Sequence, residues 1–368
     1  MKIIPENLTL PPRTIFRNGS ILDVLTECRI FGSRGVLVCG RSLDKSGTLS
    51  AILDSGKADD SICIWRHSGG EPTLNQLEDL LVAARGHGAE WILGIGGGSV
   101  MDLAKACAGL LESPLPAENY HNGEPLENSR IPFIAAPATA GTGSEATVVT
   151  VLTNTETGVK KSFRHQSHIA RLVILDSGLL DGCPASVVAA SGMDALTQAI
   201  EAYTSNGAAW ISDQWALQGV ELIANNLERV YAGERGDASS ALLLGSYLAG
   251  LALSNARLGV VHGLAHPLGS RYHQPHGLVC AVCLPAAIRF NKNAMGKKYD
   301  ILGEILNGDL LVCIENMIEQ LAIKSPFKKL AIKDKDNVIK ETLASGSTKA
   351  NPRTVKAEDV ECLLSEIF

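Results

Sequence analysis

The segment SGMDALTQAIEAYTS, residues 191–205, places Asp194 and Gln198 four residues apart, which on a helix puts both side chains on one face. A carboxylate and an imidazole at that spacing make half of a metal site. Here the second position is an amide, so the segment reads as a damaged site, an altered site or a plain helix face. A second segment sharpens the question. VVHGLAHPLGSRYHQPHGLVC (260–280) carries His262, His266, His273 and His276, four of the chain's 9 histidines. One histidine in an apolar helix is ordinarily a satisfied core residue. Four so close together, beside small and apolar neighbours, point to metal ligation or proton movement. Spacing alone pairs His262 with His266 at i, i+4, with Pro267 bending the helix after them, and leaves open which of the four face a ligand.

A third stretch has the chemistry of phosphate binding. WILGIGGGSVMDLAKA (91–106) reads as strand, glycine turn and helix. Gly96, Gly97 and Gly98 let a ligand approach the backbone, Ser99 is placed to cap the helix, and the N–H groups at a helix start attract anions. The pattern departs from G-x-G-x-x-G at its last position and lacks the Lys-Ser/Thr of a P-loop. Its place at the carboxyl end of a strand favours ligand binding over a simple tight turn. The loop APATAGTGSEAT (136–147) is almost entirely small residues and hydroxyls. Thr139, Thr142 and Ser144 would be costly to bury without partners, which predicts a polar ligand beside them.

These residues need a scaffold that alternates short strands with helices. RGVLVCG (34–40), SICIWR (61–66), EWILGIGG (90–97), IPFIAAP (131–137) and LVILD (172–176) read as strands, and NQLEDLLVAARGHG and SVMDLAKACAGLL between them read as helices. That order implies a mostly parallel sheet covered on both faces. After about residue 178 the strand signals stop, and four long helical patterns follow. The expected organisation is a Rossmann-like α/β dinucleotide-binding domain over residues 1–178 and an all-helical metal- and substrate-binding domain over 179–368. The active site is expected in the cleft between them.

Bulk properties exclude several classes. A net charge of −6 without a long basic run argues against nucleic acid as the main partner. No apolar run has the roughly 18 residues of a spanning helix, and MKIIPENLTLPP lacks the apolar core of a signal peptide, so a cytoplasmic protein without a membrane partner is expected. The 9 cysteines show no disulfide framework. Cys280 and Cys283 form a lone C-x-x-C, expected to be two small apolar residues packed in a helix.

Together, GGGSVMDLAKA, PATAGTGSEAT, SGMDALTQAIEAYTS, HGLAHPLG and PHGLVCAVCLP resemble the iron-containing (group III) alcohol dehydrogenase family over nearly the whole chain. The resemblance implies NAD(P) binding, one divalent metal (Fe²⁺ or Zn²⁺), a homodimer, and hydride transfer between nicotinamide and a small alcohol or aldehyde. By position it implies metal ligands at Asp194, His262 and His276, with Gln198 where the family has histidine. It makes His266 a proton-relay residue rather than a ligand, which overrides the local pairing. Gly97, Gly98, Ser99 and Asp102 match the pyrophosphate and nicotinamide contacts, and Thr139, Thr142 and Lys161 match further nucleotide contacts.

Three departures carry expectations of their own. The position after the strand 36–40, where NAD-preferring relatives place an aspartate, holds Gly40 followed by Arg41, which predicts a preference for NADP(H). Gln198, a neutral amide, predicts a loosely held metal and admits a nucleotide-binding member of weak activity. Finally, SFRHQSHIAR (162–171), preceded by Lys160 and Lys161, is unusually basic. It suits an anionic aldehyde or ketone of the phosphonoacetaldehyde, succinate semialdehyde or maleylacetate type, or else forms a solvated hairpin. The related dehydroquinate synthase architecture is disfavoured by GTGSE and HGLAHPLG.

Overall fold

A computed structural model describes residues 2–368. Two compact units make up the chain. One comprises Thr9–Thr139 and Ser144–Cys183; the other comprises the N-terminal residues through Leu8, Ala140–Gly143 and Pro184–Phe368. The chain thus passes from one unit to the other at Cys183–Pro184, slightly beyond residue 178, and four residues of the hydroxyl-rich loop pack with the helical unit.

The first unit is an α/β sandwich. Its strands are β1 (Thr14–Phe16), β2 (Gly35–Gly40), β3 (Ile62–His67), β4 (Trp91–Gly96), β5 (Phe133–Pro137), β6 (Val149–Thr153), β7 (Lys160–Arg164) and β8 (Leu172–Leu175). Six of them form one sheet in the order β1-β8-β5-β4-β2-β3, every pair parallel, while β6 and β7 pair as a separate antiparallel hairpin. The central strands β4, β5 and β8 are buried along their whole length, as helices on both faces of a parallel sheet require. The helices are α1 (Val24–Cys28), α2 (Arg41–Lys45), α3 (Thr48–Ser55), α4 (Leu74–His87), α5 (Gly98–Leu110) and α6 (Ala117–Asn122). Helix α4 starts at a reciprocal cap: Thr73 Oγ1 accepts from the Gln76 N–H (3.2 Å) and Gln76 Oε1 accepts from the Thr73 N–H (3.1 Å). One core cluster joins Leu37, Leu93, Ile95, Ile134 and Ile174 of the sheet to Ile21, Val24 and Leu25 beneath it.

The second unit is helical: α7 (Ala185–Thr204), α8 (Trp210–Tyr231), α9 (Asp237–Ala256), α10 (Val260–Tyr272), α11 (His276–Met295), α12 (Lys297–Ile305), α13 (Leu310–Gln320), α14 (Lys335–Ala344) and α15 (Ala357–Ile367). Helix α7 is buried continuously from Gly192 to Thr204, so its polar residues in that span face protein rather than water. No single helix among the described residues is long and apolar enough to cross a membrane.

Candidate functional site

In the helical unit, α7 carries Asp194, Gln198 and, one turn further, Glu201, all buried. Helix α11 reaches α7 because Gly277 has no side chain: a Cβ there would lie 2.3 Å from the Ala190 carbonyl oxygen and 3.2 Å from Asp194 Cβ. That approach sets His276, the first residue of α11, beside Asp194, with Nε2 and Oδ1 3.9 Å apart. Helix α10 is anchored by Glu201. Its Oε1 accepts from the Val261 N–H (2.7 Å), and its Oε2 accepts from His262 Nδ1–H (2.6 Å). A carboxylate at the start of α10 also suits the positive end of that helix.

With Nδ1–H committed to Glu201, His262 turns Nε2 toward Asp194 Oδ1, 3.3 Å away. Their two lone pairs repel unless a proton or a metal cation lies between them. Asp194 Oδ1 and Gln198 Oε1 are both buried without a hydrogen-bond partner in the protein. The electrostatics agree. Burial would raise the Asp194 carboxyl, yet His276 and His262 beside it hold it down to about 2. Burial would likewise depress His262, yet Cys280, Asp194 and Glu201 around it raise its pKa well above the ordinary range. A field that favours an extra proton there also favours a divalent ion, and Asp194, His262 and His276 fit one.

The fourth group at this centre is Cys280. Its Sγ lies 3.8 Å from His262 Nε2 and 3.6 Å from His276 Nε2, and the donor atoms of Asp194, His262, His276 and Cys280 all lie within 4.8 Å of one another. By sequence Cys280 and Cys283 are alike, two small residues of a helix core; only Cys280 joins the cluster. Its spacing of four from His276 was the available signal. Cys283, also buried, stays outside it. His266 is not one of the converging donors; its ring stacks on His276, with centroids 5.1 Å apart and planes 25° from parallel. The local i, i+4 pairing of His262 with His266 therefore does not form. His273 is exposed at the turn between α10 and α11.

In the α/β unit, the glycine turn follows β4 as expected. Gly96 permits it, since a Cβ there would come within 2.8 Å of Val100 Cβ. The helix cap differs from expectation: Gly97 is the N-cap residue of α5, and the Ser99 hydroxyl donates to the Gly70 carbonyl (3.0 Å) instead of capping. Thr139 stands over the turn, its Oγ1 and Cγ2 3.4 Å from where a Gly97 Cβ would be. Asp102 is turned inward, accepting from the Ser144 hydroxyl (2.7 Å) and the Val151 N–H (3.0 Å). Lys105, fully buried and unnoticed in the sequence, ties the hydroxyl-rich loop to α5. Its ammonium donates to the Ser144 carbonyl and hydroxyl, Thr147 Oγ1 and the Val149 carbonyl at 2.6–3.1 Å. Burial lowers its pKa to about 8 against the opposing pull of Asp102 and Glu145. Ser144 is thus buried because it is satisfied internally, not because it lines a ligand. Thr142, which packs with the helical unit, is exposed.

Gly40 ends β2 and precedes α2, where Arg41 is exposed and has no ion-pair partner among the described residues. Asp44, the nearest acid along α2, is committed to Arg66 through two bonds of 3.0 and 3.1 Å. On β7, Lys161 faces solvent, whereas the neighbouring Lys160 is turned inward, its ammonium bonded to Glu71 and its charge felt by Asp102. The remaining basic residues disperse: Arg164 and Arg171 are exposed, His165 bonds Ser167, and His168 is buried against Phe163, with burial lowering its pKa to about 3. The hairpin is solvated, and no cluster of cations forms on it.

Family comparisons bear on the whole chain. Residues 11–177 match the iron-containing alcohol dehydrogenase family, and residues 188–368 match the C-terminal region of the Fe-containing alcohol dehydrogenase family. The chain belongs to this family. It is accordingly an oxidoreductase acting on CH–OH groups. Among similar proteins, lactaldehyde reductase of Escherichia coli (strain K12) is 33% identical over 297 residues, covering 79% of this chain and 77% of that protein. Sulfoacetaldehyde reductase of Bilophila wadsworthia is 31% identical over 373 residues, covering 95% and 96%. The crystal structure of a 1,3-propanediol oxidoreductase superposes with a TM-score of 0.91 at 29% identity, covering 98% of this chain and 99% of that one. The resemblance noted in the motifs thus extends to the fold.

Proposed function

We propose that the protein interconverts a small alcohol and its aldehyde by hydride exchange with NADP(H), using a divalent metal held by Asp194, His262 and His276. The observation that carries this reading is the convergence of Asp194, His262 and His276 on one point, with Asp194 Oδ1 buried and without a hydrogen-bond partner among the described residues, beside a carboxylate that fixes one imidazole's tautomer. A divalent ion there supplies Lewis acidity toward the substrate oxygen. The protein's own groups do the rest. Glu201 Oε2 holds the His262 Nδ1 proton and so keeps Nε2 basic and oriented. His266, stacked on His276, takes up or releases the hydroxyl proton. Gln198 Oε1 offers a neutral, weakly binding acceptor.

The glycine turn Gly96–Gly98 and the first N–H groups of α5 bind the pyrophosphate. Thr139 and the inward-facing Lys160 support the same end of the nucleotide. Arg41, exposed and without an ion-pair partner among the described residues, meets the 2′-phosphate that an aspartate would repel. The test is kcat/KM for NADPH and NADH across a panel of aldehydes that includes an anionic one, with and without added Fe²⁺ or Zn²⁺. Faster turnover with NADPH, dependent on metal, supports the reading. A clear NADH preference removes the role of Arg41, and turnover indifferent to metal removes the metal centre.

A further inference from the structure

Cys280 stands where a fourth protein donor would join Asp194, His262 and His276, with the substrate oxygen as a fifth. We propose that its thiolate is a direct metal ligand, so that this centre is an Asp-His-His-Cys site that selects Zn²⁺ over Fe²⁺. The inference rests on the metal reading above but concerns a residue that reading does not use.

The distances carry it. A tetrahedral zinc with Zn–S near 2.3 Å and Zn–N or Zn–O near 2.0–2.1 Å requires S···N edges of about 3.6 Å and N···O edges of about 3.3 Å. Cys280 Sγ lies 3.6 Å from His276 Nε2 and 3.8 Å from His262 Nε2, and His262 Nε2 lies 3.3 Å from Asp194 Oδ1. The longest of these edges, from His276 Nε2 to Asp194 Oδ1, is 3.9 Å. Four of the edges among these donors, which come from three helices, thus lie at or near tetrahedral values, and the donor atoms all lie within 4.8 Å of one another. Asp194 Oδ1, one of these donors, is buried without a hydrogen-bond partner among the described residues, as an oxygen that serves a cation would be.

Position in the chain explains how the donor arises. Cys280 is four residues after His276, so the first turn of α11 projects both toward α7. Gln198, the neutral member of the Asp194 face, is then relieved of ligation. On coordination the Cys280 thiol gives its proton to solvent and a sulfur lone pair enters the shell of the ion, with no change of oxidation state. Thiolate softness favours zinc over the harder ferrous ion.

The experiment loads the full-length, metal-stripped protein with Co²⁺ and measures cobalt per chain together with the near-ultraviolet absorption of a thiolate–cobalt charge-transfer band. One cobalt per chain with the band present, lost in Cys280→Ser and kept in Cys283→Ser, is the expected result. Bound cobalt without that band, or a band that survives Cys280→Ser, overturns ligation by Cys280 while leaving the three-donor centre standing. No bound cobalt at all overturns both. Because Cys280→Ser sits in a packed core, X-ray absorption of the zinc-loaded wild-type protein supplies a reading that needs no variant. One sulfur scatterer at about 2.3 Å is expected, and a shell of only nitrogen and oxygen overturns the proposal.

Discussion

At the residue scale, Glu201 makes the centre more than a coincidence of polar side chains. It holds the α10 backbone with one oxygen and the His262 tautomer with the other. Replacing such an outer carboxylate commonly costs roughly 10–100-fold in metal affinity. Glu201→Gln is therefore expected to weaken Zn²⁺ binding by about that range in a chelator competition; unchanged affinity would show that Glu201 only anchors the helix. Gln198 and Cys280 are linked in the same way. Gln198→His is expected to tighten zinc little in the wild-type background and strongly in Cys280→Ser, because an added imidazole matters only where a donor is missing. Equal tightening in both backgrounds would contradict that link. A third residue, Glu145, reports on the α/β unit. Burial raises its carboxyl to about 7 against the opposing pull of a backbone hydrogen bond and of Lys105, so the folded state holds a proton that the unfolded chain has already released above its ordinary pKa of 4.5. Stability from that proton is full below about pH 4.5 and is lost as pH rises through 7. The difference in melting temperature between Glu145→Gln and wild type is therefore expected to grow in favour of the variant from pH 5 to pH 8. A constant difference would place the Glu145 pKa back in its ordinary range.

At the element scale, the sequence was most legible where local pattern and tertiary environment agree. The β-branched runs became β2, β3, β4, β5 and β8, and the long helical patterns became α7, α8, α9 and α11. What escaped was short or held by distant partners. Strand β1 is only 3 residues, too few for any period, and exists because Thr14, Ile15 and Phe16 pair with β8. The capping role given to Ser99 failed because Gly97 takes that position and leaves the serine hydroxyl for Gly70. Likewise, Asp194 and Gln198 were legible as one face of α7, but Cys280 gained meaning only when α11 closed on α7. That closure depends on Gly277. A methyl group there meets the Ala190 carbonyl, and such overpacking ordinarily costs about 1–3 kcal/mol. Gly277→Ala is expected both to lower the melting temperature and to weaken metal binding, since displacing α11 carries His276 and Cys280 with it. A destabilised variant with undiminished zinc affinity would separate the helix contact from the site.

At the scale of the whole molecule, the chain is an iron-containing alcohol dehydrogenase family member in which Asp194, His262, His276 and Cys280 come together. The family assignment was readable from motif order alone, because five motifs between Gly96 and Pro285 have to agree. The four-donor cluster was not, because it is a property of three helices brought together. Ion binding also links to stability: free Zn²⁺ at 100 times its dissociation constant is expected to stabilise the fold by about 2.7 kcal/mol, visible as a rise in melting temperature that Asp194→Ala abolishes. The most direct test of the account is turnover of NADPH with an aldehyde by metal-stripped protein titrated with Zn²⁺. The account predicts negligible activity without metal and a rise that saturates at one ion per chain. Full activity in the stripped protein, or no activity at any metal concentration, would contradict it.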